Sequence, residues 1–544
     1  MASINIFQQQ DFTGGLNLRS DQFQLADNES PKMLNVEIDP RGGVFSRGGM
    51  ERINSTPVIA SGTWTPQKLT PFYGTTPHVM LTDLTKVYKS TGSNFSKLQW
   101  NNAGTPTDVT ANSPHGACMA AWGDFLYIAT GSAATAGGYR WRTSDVYATP
   151  LTASGTNPDA WQQTLGTPSV GAGKIPQAEH LTVHANKMFA ANTTEGGIAY
   201  PNRIRWSHEF IPDNWRAEDY IDIAAGGEGI QGMAVANGQL VIFKPNATFL
   251  LYGYDDTNFQ VIELSGSLGC QSHHAICTTD TGIYFYSLGR GLFFTDGNSI
   301  TDAFANVRSI IDLGYVSASD PDGISVSWVG GRVWLSLPYS TTGTLPVQPT
   351  INLVFDPTLG AYTMFQTADG YGVIAGCNFR ATDNVQYRLM IHPTLPRVLN
   401  VDQYDFASDN IAGTEAGFTS YYRTKWFDGG SYMQKKMFRR PEIVMKEAEV
   451  PQAVNVKVYH DFNETEQNFR REFNLIQGGT SLGLWGSSLW GSSFWSSGTA
   501  SSIIKRGKNL GLAKTIQLQF TGQPSQAWGI NSIGYKFNSR RVTG

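Results

Sequence analysis

The sequence has 544 residues, with 15% charged, 12% aromatic, 58 glycines and a formal net charge of −4. An aromatic-rich, charge-poor chain is not intrinsically disordered. Without Ala, Glu, Lys, Leu and Arg at helical period it is no coiled coil or long helical bundle. What remains is a large all-β protein of many short strands and turns, with no global attraction to nucleic acid or membranes.

Residues 1–55 read as an extended N-terminal arm. Gly14-Gly15, Asp39-Pro40 and Gly42-Gly43 are turn signals. Alternation at Leu34, Val36 and Ile38 predicts a strand, and Val44-Phe45 a return strand. Leu34, Val36 and Ile38 are expected to pair with another segment or subunit, which makes them candidate assembly positions. The start, MASINIFQQQDF, has neither a basic nor an apolar stretch and is not read as a signal peptide.

Residues 56–410 repeat one pattern: a short alternating strand, a Gly, Asn or Asp turn, and a second alternating strand. Instances are CMAAWGDFLYIAT (118–130), GMAVANGQLVIF (232–243) and ISVSWVGGRVWLSL (324–337). The turn centres lie roughly 40 to 60 residues apart, a period that marks a β-propeller. Six or seven irregular blades are expected, with a large β-sandwich array as the alternative.

Residues 411–544 differ. Strong alternation predicts a C-terminal β-sandwich. It carries a Trp/Gly/Ser-rich insert, 480–502, whose Trp485, Trp490 and Trp495 are expected to pack on the same chain. From Glu415 onward there are 17 basic and 9 acidic residues, a net of +8, against −12 for the rest. The doublets Arg439-Arg440 and Arg470-Arg471 suit edge-strand charge that discourages aggregation. They also suit contacts with acidic surfaces of neighbouring subunits, and so join the candidate assembly residues. Specific nucleic-acid recognition fits them least.

Motifs that could carry chemistry are weak. Gly227 to Gly232 matches G-x-G-x-x-G, but a strand pair follows where a dinucleotide site needs a helix. His180 and His184 fall on a predicted strand, where four residues span about 13 Å, too far to share a metal. His273-His274 and the four cysteines, Cys118, Cys270, Cys277 and Cys377, have no ligand spacing, and free buried thiols are expected. Acidic residues at turns, such as Asp124, Asp280, Asp296 and Asp356, suit Asx-turns better than a glycosidase pair. The chain reads as non-enzymatic, with no catalytic residue, cofactor or metal. No apolar run approaches the length of a membrane-spanning helix.

The arm FTGGLNLRSDQFQLADNESPKMLNVEIDPRGGVFSRGGMERI resembles the N-terminus of tailed-phage tail structural proteins. Gly14, Gly15, Leu16 and Asn17 match its opening; Asn28, Glu29, Ser30 and Pro31 its middle; Asn35, Val36, Asp39, Gly43, Arg47 and Gly49 its closing element. RIRWSHEFIPDNW (203–215), LWGSSLWGSSFW and the closing WGINSIGYKFNSRR are similar to later parts of the same group. The resemblance implies a propeller-bearing, non-enzymatic tail-tube nozzle or hub of a short-tailed phage. Such a protein forms a ring, most often sixfold. It meets other tail proteins, passes double-stranded DNA without sequence-specific binding, and is made in the host cytoplasm for the virion. A minor tail-tip protein of a long-tailed phage is the nearest variant. A propeller that binds or cleaves host-surface carbohydrate is the alternative of another class.

Overall fold

A computed structural model describes residues 4–21, 24–113, 115–131, 138–151, 162–163, 175–224, 228–316, 323–342, 345–403, 407–446, 452–463, 465–477 and 504–539. Among them, seven sheets of four or five strands follow one another along residues 66–403, with a small hairpin, Gln99–Asn102 and Thr105–Asp108, between the first two. Each of the seven sheets is a blade. Blade 1 comprises Pro66–Tyr73, Pro77–Asp83, Val87–Thr91 and Asn94–Lys97. Blades 2 to 6 begin at Cys118, Gln177, Gly232, Ile276 and Ser325 and run outward in chain order, and blade 3 adds Gln162–Gln163 parallel to its outer strand. Blade 7 begins at Ile374. The first strand of each blade is innermost. These strands touch one another from Cys118–Trp122 round to Ile374–Arg380, and that strand touches Pro66–Tyr73. The chain is a β-propeller of seven blades with an N-terminal arm and a C-terminal β-sandwich.

Local sequence explains the hairpins. Asn237 and Gly238 take φ of 49° and 73° between Gly232–Ala236 and Gln239–Phe243. Two successive left-handed residues make the turn whose twist matches paired strands, and Asn-Gly adopts it at least strain. The second strands are apolar on both faces because blades stack like slices. Leu240, Val241, Ile242 and Phe243 are all fully buried. Leu240 and Ile242 pack toward blade 3 with Phe189, Ile204 and Trp206. Val241 and Phe243 pack toward blade 5 with Phe285 and Phe293.

The ring closes with a strand from the arm. Blade 7 runs Ile374–Arg380, Gln386–Ile391, Val398–Gln403 and then Gly49–Arg52. Leu399 pairs with Arg52 and Asn400 with Glu51. Residues 49–52, expected within a separate arm, thus complete the propeller.

The sandwich also depends on the arm. One sheet holds Glu442–Met445, Gly529–Ser539, Lys436–Phe438 and their neighbours, joined by Asn5–Gln9, Val36–Ile38 and Val44–Ser46. The other runs Lys32–Leu34, Tyr421–Arg423, Ile516–Gly522, Gln452–His460, Arg471–Gln477. Every second residue of Val454, Val456 and Val458 faces the core, with Phe473, Leu518, Phe520, Ile533 and Phe537. That core continues through Phe12, Leu16 and Tyr362 into blades 4 to 6. The Trp insert lies outside the described residues. The 1–55 segment therefore contributes to both domains rather than standing apart.

Deleting residues 1–55 removes the closing strand and four strands of the sandwich. We expect loss of the cooperative thermal transition in calorimetry. A truncated chain that keeps a native-like melt would contradict the closure described here.

Candidate functional site

The arm, propeller and sandwich meet at Arg47. Its side chain is 1% exposed and pairs with Asp409, 0% exposed, at 2.7 Å. Arg47 uses all five of its N–H donors. Nε donates to Asn35 Oδ1 at 2.9 Å. Nη1 donates to the Gly48 carbonyl and to Asp409 Oδ1, both at 2.8 Å. Nη2 donates to the Gln366 carbonyl at 2.9 Å and to Asp409 Oδ2 at 2.7 Å. The Phe418 ring lies under the guanidinium at 3.8 Å. Asp409 also accepts the Met50 and Ala368 amides, at 3.0 and 2.8 Å. Asn35, itself left-handed with φ of 53°, accepts the Gln366 amide and donates to the Thr419 carbonyl.

Other arm positions of the resemblance act nearby. Gly15 has φ of 67°, and a Cβ there would lie 2.7 Å from the Tyr362 carbonyl oxygen of blade 6. Only glycine lets the arm run that close. Asn17 donates to Glu29 at 2.8 Å and accepts the Arg19 amide at 2.9 Å. Ser30 Oγ donates to the Arg423 carbonyl of the sandwich at 2.7 Å. In the 203–215 block, Arg205 grips Glu195 with two bonds, 2.6 and 2.7 Å, and Arg203 grips Asp222 with two at 2.8 Å. Arg203 is stacked 3.9 Å from both Tyr200 and Tyr220.

The candidate assembly positions divide. Leu34 pairs with Tyr421, Val36 with Ser46 and Ile38 with Val44, all in this chain. Val36 is fully buried, so its side chain fastens the arm and cannot meet another subunit. Arg439, Arg440, Arg470 and Arg471 are exposed. Arg439 holds Asn538 at 2.9 Å.

Propeller topology sorts the acidic turns onto one face. Turns joining strands 1 and 2, and strands 3 and 4, leave a blade at the same end. That end carries Asp124, Glu209, Asp256, Asp280, Asp296 and Asp383. Asp296 accepts the Asn298 and Ser299 amides, and Asp356 the Thr358 amide, as Asx-turns.

An axial cavity of about 560 Å³ lies between the seven innermost strands. The three-residue turn His273–Ala275, before blade 5, lines it with His273 and His274, and Gln67 and His274 also line a second cavity of about 200 Å³. His273 Nε2 lies 3.1 Å from Lys68 Nζ of blade 1 and 3.7 Å from Cys118 Sγ of blade 2. Its ring is 5.1 Å from that of His180. Burial, reinforced by His115, Lys68 and His274, holds His180 down to about 3, and His273 is also held well below the ordinary range by burial. Burial pushes the thiols of Cys270, Cys277 and Cys377 up to about 12, and all four cysteines are free. Among the described residues no group of His, Cys, Asp and Glu is arranged to hold a metal ion. His180 and His184 share the strand Gln177–His184. Gly227 lies outside the described residues. Sequence reading singled out neither Asp409 nor Lys68: neither belongs to a motif, and ring closure alone brings them to their partners.

No protein-family model matches the chain, and no curated protein matches it. The extracellular domain of a hybrid two-component system from B. thetaiotaomicron is similar at a TM-score of 0.38 and 11% identity, over 65% of this chain and 41% of that one. A second such domain from the same organism gives 0.34 and 9%, over 70% and 44%. YCF48 from Cyanidioschyzon merolae gives 0.34 and 12%, over 64% and 98%. This chain spans less than half the length of the two extracellular domains.

Arg47→Ala leaves Asp409 buried without its cation. We expect a loss of about 3–5 kcal/mol of stability by urea denaturation, of which the double variant Arg47→Met with Asp409→Leu recovers only part, because the Met50 and Ala368 amides and the Gly48 and Gln366 carbonyls lose their partners. A cost below about 1 kcal/mol would remove the junction's structural role.

Acid should also destabilise the propeller axis. An unfolded histidine protonates near pH 6.5, whereas folded His180 resists to about 3. The unfolded chain binds more protons in that window, so stability falls as pH drops from about 6.5 to about 3. His180→Phe should flatten the slope of Tm against pH there; an unchanged slope would contradict the assignment.

Proposed function

We propose that this protein is a structural component of a phage tail that assembles into a ring around the path of DNA ejection, as a nozzle or hub. Its support is the convergence of the arm positions shared with tail proteins. Gly15, Asn35, Arg47 and Gly49, dispersed in sequence, meet at or beside the junction that locks propeller to sandwich. The family pattern thus coincides with what holds this chain's shape.

The ring contact follows from charge. The sandwich presents exposed Arg439, Arg440, Arg470 and Arg471, and the propeller presents its acidic turn face. A head-to-tail contact between the two in successive copies closes into a ring when the rotation permits, and opposite charge fixes its register. The axial cavity of one propeller, about 560 Å³, has the volume of a small-molecule pocket. DNA would pass through the opening enclosed by several copies. A minor tail-tip protein of a long-tailed phage would use the same contact.

Light scattering of the purified full chain tests this reading. We expect a discrete ring, sixfold by the resemblance, that weakens at high salt. Arg439→Glu, Arg440→Glu, Arg470→Glu and Arg471→Glu together should leave a folded monomer. A wild-type monomer that releases reducing ends from host glycans would replace this reading with the carbohydrate-cleaving one.

A further inference from the structure

The axial cavity contains an unusual charge. Twenty-five residues line it, drawn from all seven innermost strands and the His273 turn. Lys68 alone among them carries a formal charge at neutral pH. The walls are otherwise apolar or neutral: Leu69, Val183, Val235, Val326 and Trp328, with Thr182, Ser327 and Asn378.

Lys68 has little to satisfy it. An ammonium has three N–H donors and no acceptor. Its one partner among the described residues is His273 Nε2 at 3.1 Å. Because lysine can only donate, Nε2 must accept, which places the ring proton on Nδ1. The imidazole is therefore neutral, and burial keeps it so. It offers Lys68 one lone pair and no counter-charge. Three enclosed cations are paired with carboxylates, Arg47 with Asp409, Arg205 with Glu195 and Lys187 with Asp256, whereas Arg423 and Lys436 are held by the neutral oxygens of Gln519 and Gln434. Lys68 is itself only partly buried, and its one partner among the described residues is the neutral His273 ring rather than a carboxylate.

We propose that the axial cavity is a binding site for a small anion, held by Lys68 Nζ beneath the His273 turn. The volume admits a ligand of small-molecule size. A compact organic carboxylate would direct its head to Lys68 and lay its body on Trp328 and the valines. An inorganic oxyanion such as phosphate has the same head chemistry without the apolar body. Asp124, Asp280 and Asp383 stand on the turns that end the innermost strands, where solvent and salt screen them. This site is independent of ring assembly.

The test uses the purified full-length chain in Hepes buffer without chloride. Sodium benzoate and sodium phosphate are titrated separately by calorimetry. We expect one saturable site per chain, weakened at least about tenfold by Lys68→Met and retained in Lys68→Arg. Benzoate binding without phosphate binding assigns an organic carboxylate; phosphate binding assigns an oxyanion head alone. Melting in the same buffer gives the second readout. Before either probe is added, with the buffer sulfonate held at one low concentration throughout, Lys68→Met should melt no lower than wild type, because it removes a charge that no carboxylate of the described residues pairs with. The proposal is overturned by no saturable binding of either probe, by equal binding to Lys68→Met, or by a Lys68→Met chain that melts far lower or fails to fold.

Discussion

A guanidinium taken out of water is costly unless each of its donors is met. Arg47 is enclosed by protein on every side, and each of its five N–H groups has an acceptor. Those acceptors belong to the arm, to the link after blade 6, and to Asp409 on the way to the sandwich. Any displacement of one segment by a residue would leave a buried charge or carbonyl unpaired. The junction thus acts less as glue than as a register. Hydrophobic burial along the continuous core supplies most of the cohesion, but apolar contact tolerates sliding. The Arg47 geometry does not.

The same requirement explains why the arm is a weak strand former that nonetheless holds one course. Its strands are two to five residues long. Such segments are marginal alone. They are fixed by side-chain bonds at bends: Asn17 to Glu29, Ser30 to the Arg423 carbonyl, and Asn35 to three separate chain segments. Polar residues in the arm are therefore structural, while the apolar triplet Leu34, Val36 and Ile38 serves ordinary pairing.

Much of the fold was legible because hairpin turns are local. Asn237-Gly238 and its counterparts declare their strands within a dozen residues, and the repeat of that pattern declares the propeller. Closure was not legible. Gly49–Arg52 pairs across some 350 residues with Val398–Gln403, and no local signal separates a fourth blade strand from a piece of arm. Asp409 is similarly opaque: it reads as one aspartate among many until the ring brings it to Arg47. The histidines looked like unconnected core or loop residues, since only the closed ring sets His180 against His273. The acidic face arose indirectly. Aspartate favours turns for its hydrogen bonds to the backbone, and propeller geometry then gathers half of those turns on one side.

The strand Gly49–Arg52 is made before the first blade and finds its place only after the last. During synthesis the nascent chain must hold it unpaired while some 350 residues emerge. A ribosome that stalls anywhere in that interval releases an open arc whose terminal edges stay unpaired, a form prone to join other chains. Completion of the last blade is thus a checkpoint on length: only a chain translated past residue 403 can pair Val398–Gln403 with the waiting strand. Long-range closure of this kind is also slow. The time between finishing the chain and closing the ring is the period in which it most needs protection from its own copies.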